Sequence, residues 1–444
     1  MAVMNMNFIY LLAAKALKEA KKGGGGTVET DKTLTVENAP ADAKATGEAL
    51  EKLKQYLLPG FNSTWKDLAE AVESGLAKEM IQIGDTIENN WEDTAANKVY
   101  DFPLRANHFE EVEIEGGETV PGLWLEAKYA TPFAIQFGHQ EAFYYAENEL
   151  PAGTYNIKFG TTENNGKYVK EGDFWKFTLT KAVPAGGRIA GFYGSWDQDP
   201  KNWRVYVYAA DAITVLESNV AVSAATGETD GTNLGTFSKY GNDQLNGIQQ
   251  VSYGNNRYAT SAIRQWLNSD KPKGQWWTPQ GKYDIAPDQL SQKDGYLCGV
   301  DPELIKVMLP VKVVTYCNTV TTEGIAQVKD VTYDKVTLRS LEQMYCVPQI
   351  AGEGEAHEYY KELSGGTQFK QWATYKELIA YAVENHLSAQ PVRSRSANRG
   401  SACSTWSVSS SGYVNLSYAS NAWRGQPLVI IGKSKTISAP TDAE

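Results

Sequence analysis

Hydrophobic and polar positions change their period twice along the chain. In "MNFIYLLAAKALKEAKK", Phe8, Ile9, Leu12 and Leu17 set against Lys15, Lys18, Glu19, Lys21 and Lys22 predict an amphipathic helix within residues 1–22. "GGGG" at 23–26 opens a flexible linker that runs to about residue 40. Helical spacing then returns. Ala45, Ala49, Leu53 and Tyr56 recur at three and four until Pro59-Gly60, and Trp65, Leu68, Val72, Leu76 and Met80 form a second stripe with Asn62 or Ser63 as N-cap. These stripes predict a helical attachment or oligomerisation segment over 41–84, with packing on the following domain as the other outlet.

From about residue 100 the period becomes two. "EVEIEGG", "GLWLEAKY", "AFYYAE", "TYNIKFGTT", "FWKFTLTKA" and "NWRVYVYAADAITV" are strand-like runs, broken by turn chemistry such as Asn164-Asn-Gly166 and Pro184-Ala-Gly-Gly187. They predict a β-sandwich-like spacer domain over 85–217, and the Ala/Thr/Gly-rich 218–235 reads as a linker. Residues 236–437 mix both periods. "RYATSAIRQWLNSD" and "ATYKELIAYAVENHL" predict helices, "IKVMLPVKVVTYC" and "DKVTLRS" predict strands, and "GQPLVIIGK" predicts a closing buried strand. The fold class is α+β.

Composition narrows the function. A net charge of −11 argues against a nucleic-acid binder, which needs a basic face to displace counterions. The four cysteines show no CxxC pair, so neither a zinc knuckle nor a disulfide framework is signalled. No segment offers the roughly 18–20 apolar residues that span a bilayer, so no membrane insertion is expected. Enzyme signatures are scarce: His108, His139, His357 and His386 are scattered, and no P-loop, HExxH pair or GxGxxG opening a helix occurs. The acidic run 351–363 reads as a solvated loop and "NWEDTA" at 90–95 as a turn. No catalysis, metal or cofactor is expected.

One stretch departs from this background. Between Asn398 and Gly425 there is no Lys, Glu, Gln or Met, while Ser, Asn, Tyr and Gly abound around Trp406, Tyr413, Tyr418 and Trp423. Tyr supplies a large rigid contact area at low entropic cost, and Ser and Asn supply adaptable hydrogen bonds, which is the composition of a binding loop.

The motif "RSRSANRGSACSTWSVSSSGYVNLSYASNAWRGQPLVII" resembles the C-terminal variable region of diversity-generating retroelement target proteins from gut-bacterial phages and prophages, of the major tropism determinant type. "YGNNRYATSAIRQWLNS", "GQWWTPQGKYDIAPDQL", "PVKVVTYCNTV" and "TYDKVTLRSLEQMYCVPQI" are similar to upstream motifs of that family, in the same order. "TLTVENAPADAKATGEAL" resembles attachment segments of phage fibre proteins. The resemblance implies a C-type-lectin-like domain over 236–437, with a variable region at about 393–431. It also explains the missing residue types, because adenine-directed miscopying of AAC or AAT codons never produces Lys, Glu, Gln, Met or Trp. The ligand-binding positions it implies are Asn398, Gly400, Ser401, Cys403, Ser404, Ser407, Ser409, Tyr413, Asn415, Leu416, Ser417, Tyr418, Asn421, Trp423 and Gly425; Trp423 departs from the codon rule. Trp406, Val408, Gly412, Val414, Ala419 and Ala422 would be the fixed scaffold, carried on a frame that includes Trp266, Leu267, Trp276, Trp277 and Leu428 to Ile431.

The function so implied is a phage virion-associated receptor-binding protein that is made in the host bacterial cytoplasm. It would bind a bacterial cell-surface protein or glycan, join other virion proteins through its N-terminal helices and form a homo-oligomer, a trimer being favoured. The rival is a structural virion protein, a capsid decoration or fibre subunit without a variable site. An enzyme related to formylglycine-generating enzymes would need catalytic cysteines, and Cys403 stands where variation is implied. No Glu-Pro-Asn or Gln-Pro-Asp triplet of calcium-dependent sugar lectins occurs.

Overall fold

The computed structural model describes residues 64–141, 253–281 and 284–434, residue 250, and short β segments between 144 and 218. The segments predicted at 1–22, 23–40 and 218–235, and the helix predicted over 45–57, lie outside the described residues.

The first described element is α1 (Trp65–Ser74). Thr64 caps it, its hydroxyl accepting from the Asp67 amide while the Asp67 carboxylate accepts from the Thr64 amide, and Gly75 ends it at φ +79°. The N-cap therefore lies one or two residues beyond the expected Asn62 or Ser63. The left-handed Gly75 also breaks the expected stripe, so that Ala77–Met80 is a separate short turn of helix. Leu68 and Val72 are buried in the main core, each worth about 1.5–3 kcal/mol of transfer free energy. The apolar face of α1 is thus spent on its own chain and does not serve self-association.

The central sheet is antiparallel. Its strands are β1 (Thr86–Ile87), β2 (Leu104–Glu113) and β3 (Thr119–Ala127), joined much later in the chain by β4 (Val336–Thr337) and β8 (Leu428–Ile431). The spatial order is β1-β2-β3-β8-β4. β2 and β3 form a hairpin through Gly116 and Gly117, whose φ values of +96° and +84° are open to glycine at no steric cost. Val429 pairs with Leu125 and Ile430 with Trp124, so the closing strand lies directly beside the hairpin. This corrects the separate 85–217 spacer domain: β1, β2 and β3 share one sheet and one core with the C-terminal segment, because the buried run Leu428 to Ile431 needs a strand on each side. Further along that stretch, Gly153–Phe159, Phe174–Leu179, Val205–Tyr208 and Val215–Ser218 form a four-stranded sheet.

The other elements that position the site are α2 (Ala262–Leu267), α3 (Glu358–Leu363), β5 (Val392–Ala397), β6 (Ser404–Val408) and β7 (Val414–Tyr418). α2 forms as expected, capped by Ser261, with Ile263, Trp266 and Leu267 buried. Trp276 and Trp277 join the same core.

Four local expectations fail. "ATYKELIAYAVENHL" holds only the 3-10 turn Lys376–Leu378 and the strand Ala380–Tyr381, since tertiary pairing of Ala380 with Gln390 overrides the helical spacing. Ile305 and Lys306 end the helix Pro302–Val307 rather than opening a strand. Asn90–Asp93 is a strand paired with Lys98–Asp101. The acidic run 351–363 buries Glu353 and His357 and ends in α3, so it is not a solvated loop. The fold is a mixed α+β arrangement, as the alternation of periods indicates.

Candidate functional site

The predicted binding stretch folds as a three-stranded antiparallel sheet, β5-β6-β7. Val408 lies opposite Val392 and Val414, and Trp406 opposite Leu416. Period two therefore sends Val392, Trp406, Val408 and Val414 to one face, where they pack with Leu341, Met344, Tyr360, Phe369 and Leu378. Arg393, Thr405, Ser407, Asn415 and Ser417 share the other face by the same register. Of the expected fixed-scaffold positions, Trp406, Val408, Gly412, Val414 and Ala419 are buried, whereas Ala422 is exposed, which corrects its reading as scaffold.

The polar face is organised by two buried donors. The guanidinium of Arg393, only 1% exposed, donates to the main-chain oxygens of Ser417, Tyr418 and Asn421 and to the hydroxyl of Thr405. Its planar fork suits several acceptors at once. Burial pushes its pKa down, to about 9, which leaves it a cation at neutral pH; the rings of Trp423 and Phe137 lie 5.0 and 5.9 Å from it. The amide of Asn256, fully buried, donates to the main-chain oxygens of Asn398, Ser401 and Ser404 at 3.2, 2.7 and 2.9 Å. Six carbonyls of the segment are thus held from below, and all six belong to expected ligand-binding positions. The Arg399 carbonyl is fixed in the same way by the amide and hydroxyl of Thr319.

Exposure divides the expected positions. Gly400 and Asn421 are exposed, and Asn398, Ser401, Ser409, Tyr413, Asn415, Leu416, Tyr418 and Trp423 are half-buried. Cys403, Ser404, Ser407, Ser417 and Gly425 are buried, which corrects their reading as solvent-facing. The cause is local. Ser407 and Ser417 sit on the inward polar face around Arg393, where the Ser407 hydroxyl donates to the Asn415 main chain at 3.1 Å. Gly425 donates its amide to the Thr131 hydroxyl. Cys403 and Ser404 lie in the turn gripped by Asn256, and burial pushes the Cys403 thiol up to about 11, so it is protonated at neutral pH.

Tyr418 stacks on Tyr253 with ring centroids 4.1 Å apart. Trp372 is an aromatic residue that the sequence did not single out. It is 56% exposed, holds a left-handed φ of +61°, and donates its amide to the Val414 carbonyl, so residues 372–375 extend the sheet beyond β7. Its ring meets Trp406 edge-on at 5.4 Å and lies 6.5 Å from Tyr413. A large side chain kept in a strained backbone region and exposed is a functional signal that only φ reveals.

The scattered histidines have different surroundings. His108 and His357 stack at 5.3 Å, and both have lowered pKa values, desolvation by burial being the main cause. His139 is buried against Asp284, while His386 stacks on Tyr129 at 4.0 Å.

A family model described as a domain of unknown function (DUF6273) matches residues 229–431, somewhat under half of the chain. The matched stretch contains β5 to β8, yet the sheet that β8 completes draws β1, β2 and β3 from outside it. No curated protein and no solved structure matches the chain. Among the described residues no helix is long and apolar enough to cross a membrane.

Proposed function

We propose that the protein is a phage virion-associated receptor-binding protein whose C-terminal, C-type-lectin-like domain displays a variable polar and aromatic surface to a bacterial cell-surface protein or glycan. The observation that supports this reading is the main-chain grip. Arg393 and Asn256 hold the segment through the carbonyls of Asn398, Ser401, Ser404, Ser417, Tyr418 and Asn421. A carbonyl is present whatever the side chain, so exchange at these positions leaves the hold intact. A surface meant to vary has to separate its path from its side chains in this way. The half-buried Tyr413, Tyr418 and Leu416, beside exposed Trp372, offer the contact area, and Asn398, Asn415 and Asn421 the adaptable hydrogen bonds.

On this reading the ligand contacts fall on the exposed and half-buried positions, and Cys403, Ser404, Ser407, Ser417 and Gly425 support them from beneath. The protein acts as a homo-oligomer, a trimer being favoured, attached to other virion proteins through its N-terminal helices. Several copies on one particle turn weak single contacts into avidity.

The test is binding of the intact protein to bacterial cells and to a glycan array, compared with Tyr413→Ala and Tyr418→Ala. Each variant should keep its thermal unfolding profile and lose at least about tenfold in affinity, as truncation of an aromatic hot spot does. Unchanged binding by both folded variants would reject the site.

A further inference from the structure

His139, Glu141 and Asp284 converge although 143 positions separate Glu141 from Asp284 in the sequence. The strand Gln140–Glu141 pairs antiparallel with Asp284–Ile285, which sets Asp284 opposite Glu141, and His139 immediately precedes that strand. His139 Nε2 lies 3.1 Å from Asp284 Oδ1. One ligand atom from each of the three residues lies within 4.8 Å of the other two. Their exposures are 2%, 4% and 6%, so solvent screens none of them well.

The surroundings fix this set. The amides of Gln280 and Gly281 donate to Asp284 Oδ2 at 2.7 and 2.8 Å, and the Asn255 amide group donates to Glu141 Oε1 at 3.5 Å. These are the outer contacts that orient ligating carboxylates. His139 Nδ1 is buried without a hydrogen-bond partner, so the ring has a nitrogen beyond the one that meets Asp284. In a four-coordinate site with metal–ligand distances of about 2.0–2.2 Å, neighbouring ligand atoms stand about 3.3–3.6 Å apart. The 3.1 Å between His139 Nε2 and Asp284 Oδ1 is close to that spacing, and a Glu141 carboxylate oxygen lies within 4.8 Å of both groups.

We propose that His139, Glu141 and Asp284 bind a divalent cation of the zinc class, with water in the fourth position. One imidazole and two carboxylates suit a borderline ion, whereas calcium takes six to eight oxygen ligands. The role is structural. The cluster lies where the Asn255 amide donates to the His139 carbonyl, the Gly138 amide to the Ala419 carbonyl and the Ser420 amide to the Tyr253 carbonyl. A cation here ties Gln140–Glu141 to Asp284–Ile285 and stiffens the backbone under Tyr253 and Tyr418, whatever the protein binds.

The full-length protein, stripped with EDTA and dialysed, is titrated with zinc, manganese, calcium and magnesium by calorimetry, with thermal unfolding in parallel. One zinc per chain should bind, and unfolding should shift upward with zinc but not with magnesium. Asp284→Asn and Glu141→Gln should weaken zinc binding by about 100-fold or more. Cobalt supplies a readout on the unmutated protein: a four-coordinate visible spectrum without a thiolate charge-transfer band. Equal zinc affinity in the folded variants, a cobalt spectrum of the aqueous ion, or cysteine ligation would each overturn the assignment.

Discussion

The two sheets are each organised by a buried charge, but by opposite means. In the central sheet the fully buried Glu126 of β3 meets only side chains: Arg105 and Asn107 from β2, Arg339 just after β4, and Tyr360 from α3. Beneath the candidate binding surface Arg393 meets three main-chain oxygens and one hydroxyl. The first hub fixes residue identity at five positions across the chain. The second fixes the path of the backbone and, apart from Thr405, touches no side chain through a hydrogen bond, so it sets few demands on the side chains above it. A chain can therefore be rigid in one region and permissive in the other while both hold a buried ion.

The sharpest way to break this contrast is Glu126→Ala. It leaves two buried guanidiniums without their carboxylate, and loss of one partner from such a network costs about 3–5 kcal/mol in denaturant unfolding. Acid should reach the same hub. Desolvation alone would raise the Glu126 pKa, but Arg339 and Arg105 outweigh it and hold the carboxyl down at about 2. Its folded pKa is thus below its unfolded value, so its contribution is complete above about pH 4.5 and is lost as pH falls toward 2, amounting to about 3 kcal/mol by linkage.

Arg393→Met comes next, at about 2–3 kcal/mol, because it removes the charge-assisted hydrogen bonds to the Ser417, Tyr418 and Asn421 carbonyls. The comparison is sharpened by Asn421→Ala and Ser409→Ala, which remove side chains from the same segment without touching the grip. Each should stay within about 0.5 kcal/mol in the same denaturation experiment. Similar losses in all three variants would erase the distinction between path and palette.

The smallest effect concerns the stacked pair His108 and His357. Burial lowers both pKa values, so the folded protein binds fewer protons than the unfolded chain once pH falls below 6.5. Stability present above that pH should decline on acidification, and His108→Asn should flatten the decline between pH 6.5 and 5. Glu355 and Glu358 lie 3.8 Å from the His108 ring and oppose the shift. An unchanged profile in the variant would show that this pair carries no linkage.

Much of the site was legible before any coordinates. The absence of Lys, Glu, Gln and Met between Asn398 and Gly425 marked the segment, and Trp406, Val408 and Val414, which the resemblance implied as fixed scaffold, lie on the inward face. Which polar residues were buried was not legible, because Ser407 and Ser417 look the same in sequence as Ser409. Only the position of Arg393 between the strands separates them. Trp372 escaped for a similar reason, as exposure and a positive φ leave no compositional mark.

Local periodicity by itself determined the β2-β3 hairpin, the helix α2 and the buried character of Leu428 to Ile431, since each depends on side chains a few positions apart. Tertiary structure alone decided that β8 joins β3, that 373–387 forgoes its helix, and that Glu126, Arg339 and Tyr360, or His139 and Asp284, come together. Except for the pairing of Ala380 with Gln390, ten positions on, those outcomes depend on contacts between residues more than a hundred positions apart, where competing surfaces are chosen by which one buries charge and apolar area best. No short window of sequence carries that choice.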